Sequence, residues 1–318
     1  MNSPTQLGAV TTFRVDGLTS GWCQEILFMS DVHFDSVQCN RDLLREHLQE
    51  AKRRRAWVMI FGDFFDAMQG RFDPRRSMDE LRPEYRREDY YDFVVSDATD
   101  YLVEYRKQLS IIADGNHELS VLKNANTNLA DRLVSNLRAA GSPVVHGGYG
   151  GWVNVLLKQS QDSAKRSIKI KYFHGSGGEA PVTRGVIQTN RQAVYLPDAD
   201  IVVNGHSHNS YIVPIARERL TLQGRQFFDV VYYLRTPGYK QGYADGTGGW
   251  EVSRGGVPKP IGAIWAKLEY RAGDGLTGAH DGRLLMNFTQ DIRAADVVAP
   301  VGTAYNGPAW DEDDVRQA

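Results

Sequence analysis

Asp31 and His33 stand two apart in Ser-Asp-Val-His, Asp63 and Asp66 three apart in Gly-Asp-Phe-Phe-Asp, and residues 115 to 118 read Gly-Asn-His-Glu. Further along, His174 precedes Gly175, and Gly205-His206-Ser207-His208 sets two imidazoles around a hydroxyl. Carboxylate oxygen and neutral imidazole nitrogen together suit divalent Mn, Fe, Co, Ni or Zn. The chain's two cysteines, Cys23 and Cys39, are too few for a disulfide framework or a thiolate zinc site. Seven candidate ligands exceed what one ion normally takes. They suffice for two ions sharing a bridging carboxylate, about 3.5–4 Å apart as in hydrolytic two-metal sites. Each motif alone has a plain structural reading: a capping pair for Asp-x-His, a loop signal for Gly-Asn-His-Glu, a tight turn for Gly-His-Ser-His. All five in order, each behind an apolar run, are far harder to ascribe to chance.

Those apolar runs are the elements that must position the motifs. Residues 26–29, 57–61 and 109–113 read as buried strands, and 168–173 and 201–203 continue the series. Between the first two, Leu43, Leu44, His47, Leu48 and Ala51 recur at helical spacing, which predicts a β-α-β crossover. Helices are predicted over 93–108 and 128–139, and strands over 211–216, 227–234 and 261–270. Five strands therefore deliver polar groups at one end, where the ligand sites of open α/β sheets gather. Glycine before Asp63, Asn116 and His206 is expected to let the backbone turn sharply there.

The chain has 318 residues with a formal charge of -2, 42% hydrophobic and 24% charged, which excludes a wholly disordered chain or a tail-driven polycation. The opening MNSPTQLGAVTTFRVDG has no basic start followed by an apolar stretch, and the uncharged run 139–157 holds five Gly and a Pro. No secretory signal and no membrane span are expected, and the predicted location is cytoplasmic. One domain is predicted over 1–295, with a charged insertion near 67–92. From Arg71 to Asp92 it carries six Arg and seven acidic residues and is read as solvated. Residues 296–318, with the acidic run 311–314, are read as a C-terminal extension.

The ordered set Asp-x-His, Gly-Asp-x-x-Asp, Gly-Asn-His-Glu, His-Gly and Gly-His-Ser-His resembles the calcineurin-like metallophosphoesterase superfamily over residues 25 to about 210. The resemblance implies an α/β fold, a four-layer α/β/β/α sandwich of two mixed sheets flanked by helices, with a dinuclear site. Carried over motif by motif, Asp31, His33, Asp63 and His208 hold one metal. Asp63 bridges to a second metal held by Asn116, His174 and His206. His117 is the non-ligand histidine beside the scissile phosphate, and Asp66 holds a ligand or that histidine in position. Two positions depart from the usual pattern: Glu118 stands where the motif more often has Asp, and Ser207 where Thr is commoner. Arg235-Thr-Pro-Gly-Tyr-Lys, followed by Gly248-Gly-Trp-Glu, also resembles phage-encoded members of the superfamily.

What the resemblance implies is a metal-dependent phosphoesterase, with two divalent ions, Mn favoured over Fe, Zn, Ni or Co, activating water. Phosphodiester hydrolysis of a nucleotide or nucleic acid is the favoured reading. A phosphomonoesterase using the same site is the alternative, and a catalytically inactive metal-binding scaffold is the alternative of a different class. The five motifs contain no Lys or Arg, which leans away from a dianionic terminal phosphate. Arg184 and Arg191, between His174 and His206, are candidate phosphate contacts. His47 fits the apolar face of its helix, His146 is read as structural, and His280 lies in a polar turn. Tyr243 and Trp250 either rim the site or cover sheet ends, and Lys52 to Arg55 complement a helix dipole.

Overall fold

The computed structural model describes residues 4–67, 80–159, 166–177, 185–243, 255–272 and 282–293. Residues 68–79, Arg184, Trp250, His280 and the extension from 296 lie outside the described residues. Thr5–Leu7 (β1) and Val10–Asp16 (β2) form an antiparallel pair. Cys23–Met29 (β3), Arg41–Arg54 (α1) and Trp57–Phe61 (β4) form the expected crossover, with β3 and β4 parallel. Asn40 caps α1 by accepting from Leu43 N at 2.9 Å, and Arg55 ends it in the left-handed region at φ 55°. Next come Tyr90–Leu102 (α2), Leu109–Ala113 (β5), Asn116–Ala125 (α3) and Leu129–Ala139 (α4). The strands Val145–Gly147 (β6), Gly150–Lys158 (β7) and Arg166–Phe173 (β8) follow. Val186–Tyr195 (α5), Ile201–Asn204 (β9), Tyr211–Leu220 (β10), Gln226–Arg235 (β11), Ile261–Arg271 (β12) and Arg283–Arg293 (β13) complete the described chain.

Two mixed sheets result, ordered β1-β2-β7-β8-β9-β11-β10 and β13-β12-β3-β4-β5-β6. Ile26, Phe28, Met59, Phe61 and Ile111 of one sheet pack against Val153, Val155, Ile170 and Val203 of the other. The opposite face of the six-stranded sheet takes Leu44 and Leu48 of α1, Val94 of α2 and Leu133 of α4. The seven-stranded sheet has its own outer cluster of Val202, Val231 and Tyr233, with Ala193 of α5 against it. Helices thus cover the outer faces of both sheets, the four-layer α/β/β/α arrangement. Because β3, β4 and β5 are buried on both faces, they read as continuous apolar runs.

Several expectations need correction. The helix predicted over 93–108 runs from Tyr90 to Leu102 and is followed by a 3₁₀ turn at Val103–Tyr105. The described part of the charged stretch, residues 80–92, is only partly solvated: Arg86, Arg87, Glu88 and Asp89 are exposed, but Leu81, Tyr85 and Tyr90 are buried on the core. Gly62 alone of the three motif glycines needs a left-handed turn, at φ 91°. Gly115 and Gly205 are needed for space, since a Cβ on Gly115 would collide with Asp63 and one on Gly205 with Ser30 and Asp31.

Candidate metal centre

The motif-bearing strands are parallel within each sheet: β3, β4 and β5 in one, β8 and β9 in the other. Their C-terminal ends meet at one edge of the sandwich. The loops after β3 and β4 then run together, with Asp31 N donating to Gly62 O at 3.0 Å, His33 N to Asp63 O at 3.1 Å and Phe34 N to Phe64 O at 2.8 Å. This ladder fixes Asp31, His33 and Asp63 relative to one another. Across the sheets, His206 N donates to Asp31 Oδ2 at 2.9 Å, and on the side of the six-stranded sheet His117 N donates to Asp63 Oδ1 at 2.9 Å. Among the described residues, Asp31, His33, Asp63, His206 and His208 are five of the eight non-glycine residues at positive φ. Each such conformation costs on the order of 1–3 kcal/mol and persists only where the surroundings enforce it.

All seven candidate ligands from the sequence converge. Asp31, His33 and His208 form one group and Asp63, His174 and His206 another, the offered atoms of each within 4.8 Å of one another. His33 Nε2 lies 3.2 Å from His208 Nε2, and His208 Nε2 lies 3.4 Å from Asp31 Oδ1. In the second group, Asn116 Oδ1 lies 2.7 Å from His206 Nδ1 and 3.1 Å from His174 Nε2, which is itself 3.1 Å from Asp63 Oδ2. The far nitrogens of two rings are held: His33 Nδ1 donates to Asp66 Oδ1 at 2.7 Å and His174 Nδ1 to Phe61 O at 2.9 Å. Both rings are thereby held with Nε2 turned inward, the arrangement that orients metal-binding imidazoles.

The electrostatics fit a cation. Asp31 and Asp63 are at most 2% exposed, and buried carboxylates must be paired or coordinate a metal. Burial would raise both carboxyls, but the imidazoles His208 and His174 beside Asp31, and His174 and His117 beside Asp63, hold them well below the usual range. Burial pushes His33 down to about 4, which keeps it neutral and able to ligate. His174 moves the other way: against burial, the charge of Asp63 draws it up to about 10. The donor chemistry and the charge thus suit oxygen- and nitrogen-loving divalent ions.

Around the ligands stand groups the sequence reading placed less fully. His117 Nδ1 hydrogen-bonds the main-chain carbonyl of Asp66, with His117 Nε2 3.7 Å from Asp63 Oδ2. Glu118 reaches back to accept from Gly115 N at 2.8 Å, Asp63 N at 3.0 Å and Phe65 N at 3.0 Å. Burial and the Asp63 charge push its carboxyl up to about 8, against the pull of those amides. An acidic residue three positions after Gly115 is a helix-start signal, and α3 does begin at Asn116. Asp35 accepts from Asp66 N at 2.6 Å and Ala67 N at 3.0 Å; neither it nor Lys240, 3.3 Å from Asp66, has a site role assigned from sequence. Arg191 lies exposed on α5, and Arg184 is outside the described residues. His47 and His146 stand apart from the cluster: His47 Nδ1 bonds Tyr239 Oη at 2.7 Å and His146 Nε2 bonds Asp114 at 2.9 Å.

Residues 25–210 match the calcineurin-like phosphoesterase family, and the chain belongs to it. No curated protein matches the sequence. Among solved structures, a predicted phosphoesterase of Streptococcus pneumoniae shares 12% identity, covering 84% of this chain and 99% of that one at a TM-score of 0.31. A Plasmodium protein described as GAP50, the anchor in the inner membrane complex, shares 11%, covering 87% and 90% at a TM-score of 0.39. No helix among the described residues is long and apolar enough to cross a membrane.

Proposed function

We propose that this chain is a dinuclear-metal-dependent phosphodiesterase acting on a nucleotide or nucleic acid, with Mn the favoured metal. Membership of the phosphoesterase family supplies the broad chemistry. The observation that carries the dinuclear reading is the pair of ligand groups, Asp31/His33/His208 and Asp63/His174/His206, joined by Asp63, which lies 3.1 Å from His174 in its own group and offers an oxygen within 4.8 Å of His33 in the other. Asp63 would bridge, His33, Asp31 and His208 would complete one ion, and Asn116, His174 and His206 the other. Divalent ions held there would supply an acidified water and neutralise phosphoryl charge. His117, held through Nδ1, presents Nε2 to protonate the leaving alkoxide.

The diester preference is supported by how two nearby cations among the described residues are engaged. Lys240 is occupied by Asp66 and Glu80, and Arg235 donates to the carbonyl of Gly205 at 2.6 Å. Neither is uncommitted for a terminal dianion, and Arg191 is exposed on its helix. The test is a Mn-loaded activity panel on bis-aryl phosphate, aryl phosphate, cyclic nucleotides and single- and double-stranded DNA. Diester turnover should exceed monoester turnover. Monoester turnover far above diester turnover would reverse the substrate assignment, and hydrolysis of none of them would remove the enzymatic reading.

A further inference from the structure

The segment Arg235-Thr-Pro-Gly-Tyr-Lys takes no direct part in the ligand set, yet it runs behind three of the five motifs. Thr236 Oγ1 donates to Asn204 O at 3.1 Å and lies 2.6 Å from Ser30 Oγ, whose hydroxyl bonds the Asp31 carboxylate. Gly238 packs where a Cβ would come 2.9 Å from Asp31 O and 3.3 Å from the His208 ring. Tyr239 N donates to Asp31 O at 2.9 Å. At the end of the segment, Lys240 Nζ sits 2.7 Å from Glu80 Oε2 and 3.3 Å from Asp66 Oδ1.

Asp66 is the junction. Its carboxylate accepts from His33 Nδ1 at 2.7 Å, its main-chain carbonyl bonds His117 Nδ1, and its amide is fixed by Asp35 at 2.6 Å. It is 2% exposed, and its hydrogen bond to His33 brings no net countercharge while that imidazole is neutral. Lys240, whose side chain is 15% exposed, supplies that charge. We propose that Lys240 is a positioning residue of the metal centre: clamped between Asp66 and Glu80, its ammonium fixes the carboxylate that orients His33, and with it the residue whose carbonyl holds His117. The proposal deepens the phosphoesterase reading and rests on it for the turnover part of its test. The ammonium acts through Asp66 and touches no substrate.

The test combines Mn²⁺ affinity by calorimetry with steady-state kinetics on bis-aryl phosphate for wild type, Lys240→Met, Lys240→Gln and Lys240→Arg. Loss of the ammonium should weaken Mn²⁺ binding about 10–100-fold, the usual effect of removing a group that orients a metal-binding side chain. At saturating Mn²⁺, kcat should fall while KM stays within about threefold, because an interaction outside substrate binding has been lost. Lys240→Arg should recover most of both. Unchanged Mn²⁺ affinity in the neutral variants would overturn the proposal. So would a KM raised about tenfold or more with kcat retained, which would make Lys240 a substrate contact. Should Lys240→Met fail to fold, Lys240→Gln, which keeps a hydrogen-bond donor for Glu80, carries the same expectations. Affinity is read without turnover, so a wild type that binds Mn²⁺ but hydrolyses nothing counts against the phosphoesterase reading alone.

Discussion

At the scale of single residues, His117 and Glu118 are neighbours with opposite duties. His117 is 11% exposed and keeps Nε2 toward the cluster, whereas Glu118 is fully buried and accepts three main-chain N–H groups. Replacing His117 with Ala should leave two metals bound but lower turnover about 10²–10⁴-fold, the range for a positioned acid. The loss should be smaller for a nitrophenyl leaving group, which needs little protonation, and metal analysis with a pair of leaving groups checks both halves. Glu118→Ala would strand three buried donors at about 1–3 kcal/mol each, so urea unfolding should show a loss of about 3 kcal/mol or more. The closeness of His117 to the cluster was legible from its place in Gly-Asn-His-Glu. The duty of Glu118 was not, because two of its partners, Asp63 and Phe65, lie 55 and 53 residues away. Lys240 was hidden for the same reason, being 174 residues from Asp66.

Among the elements, β3, β4, β5, β8 and β9 were readable because burial selects apolar runs that stop where polar ligands begin. The helices α3 and α5 were not. Only Glu118 and Val121 are buried on α3, while Leu119 and Leu122 are 37% and 40% exposed, so its sequence shows no clean apolar face. On α5 the buried residues are Thr189 and Gln192, which carry no hydrophobic signal at all. The turns after the strands hold their ligands in left-handed backbone, His206 at φ 75°. In metal-free protein, His206→Gly should therefore be more stable than His206→Ala by about 1 kcal/mol, measurable by denaturant titration. Strand β6 contributes a pH effect. Burial would lower His146, but the hydrogen bond and charge of Asp114, with Asp131 beyond, raise it above its usual value. A raised folded-state value adds stability that is complete below about pH 6.5 and is lost as pH rises through the folded-state value. His146→Gln should thus cost most near pH 6 and progressively less toward pH 9; a gap that does not change with pH would contradict the pairing with Asp114.

The whole molecule carries a formal charge of only -2, yet it gathers Asp31, Asp63 and Asp66 at one sandwich edge with Lys240 as a fixed countercharge. That concentration is tolerable in the folded protein when cations neutralise it, so metal binding and stability are linked. Chelation should lower the melting temperature, and re-added Mn²⁺ should restore it in a concentration-dependent way. The four-layer plan was legible only through the family resemblance that the five motifs carry. The strap from Arg235 to Lys240 and the pairing of β12 with β13 depend on contacts that no local pattern encodes. The most direct measurement is metal content per chain after saturation with Mn²⁺ and desalting. Seven converging ligands with Asp63 as the bridge predict a value approaching two, and Asp63→Ala should lose both ions. A well-folded wild-type protein that never exceeds one ion per chain would contradict the dinuclear centre.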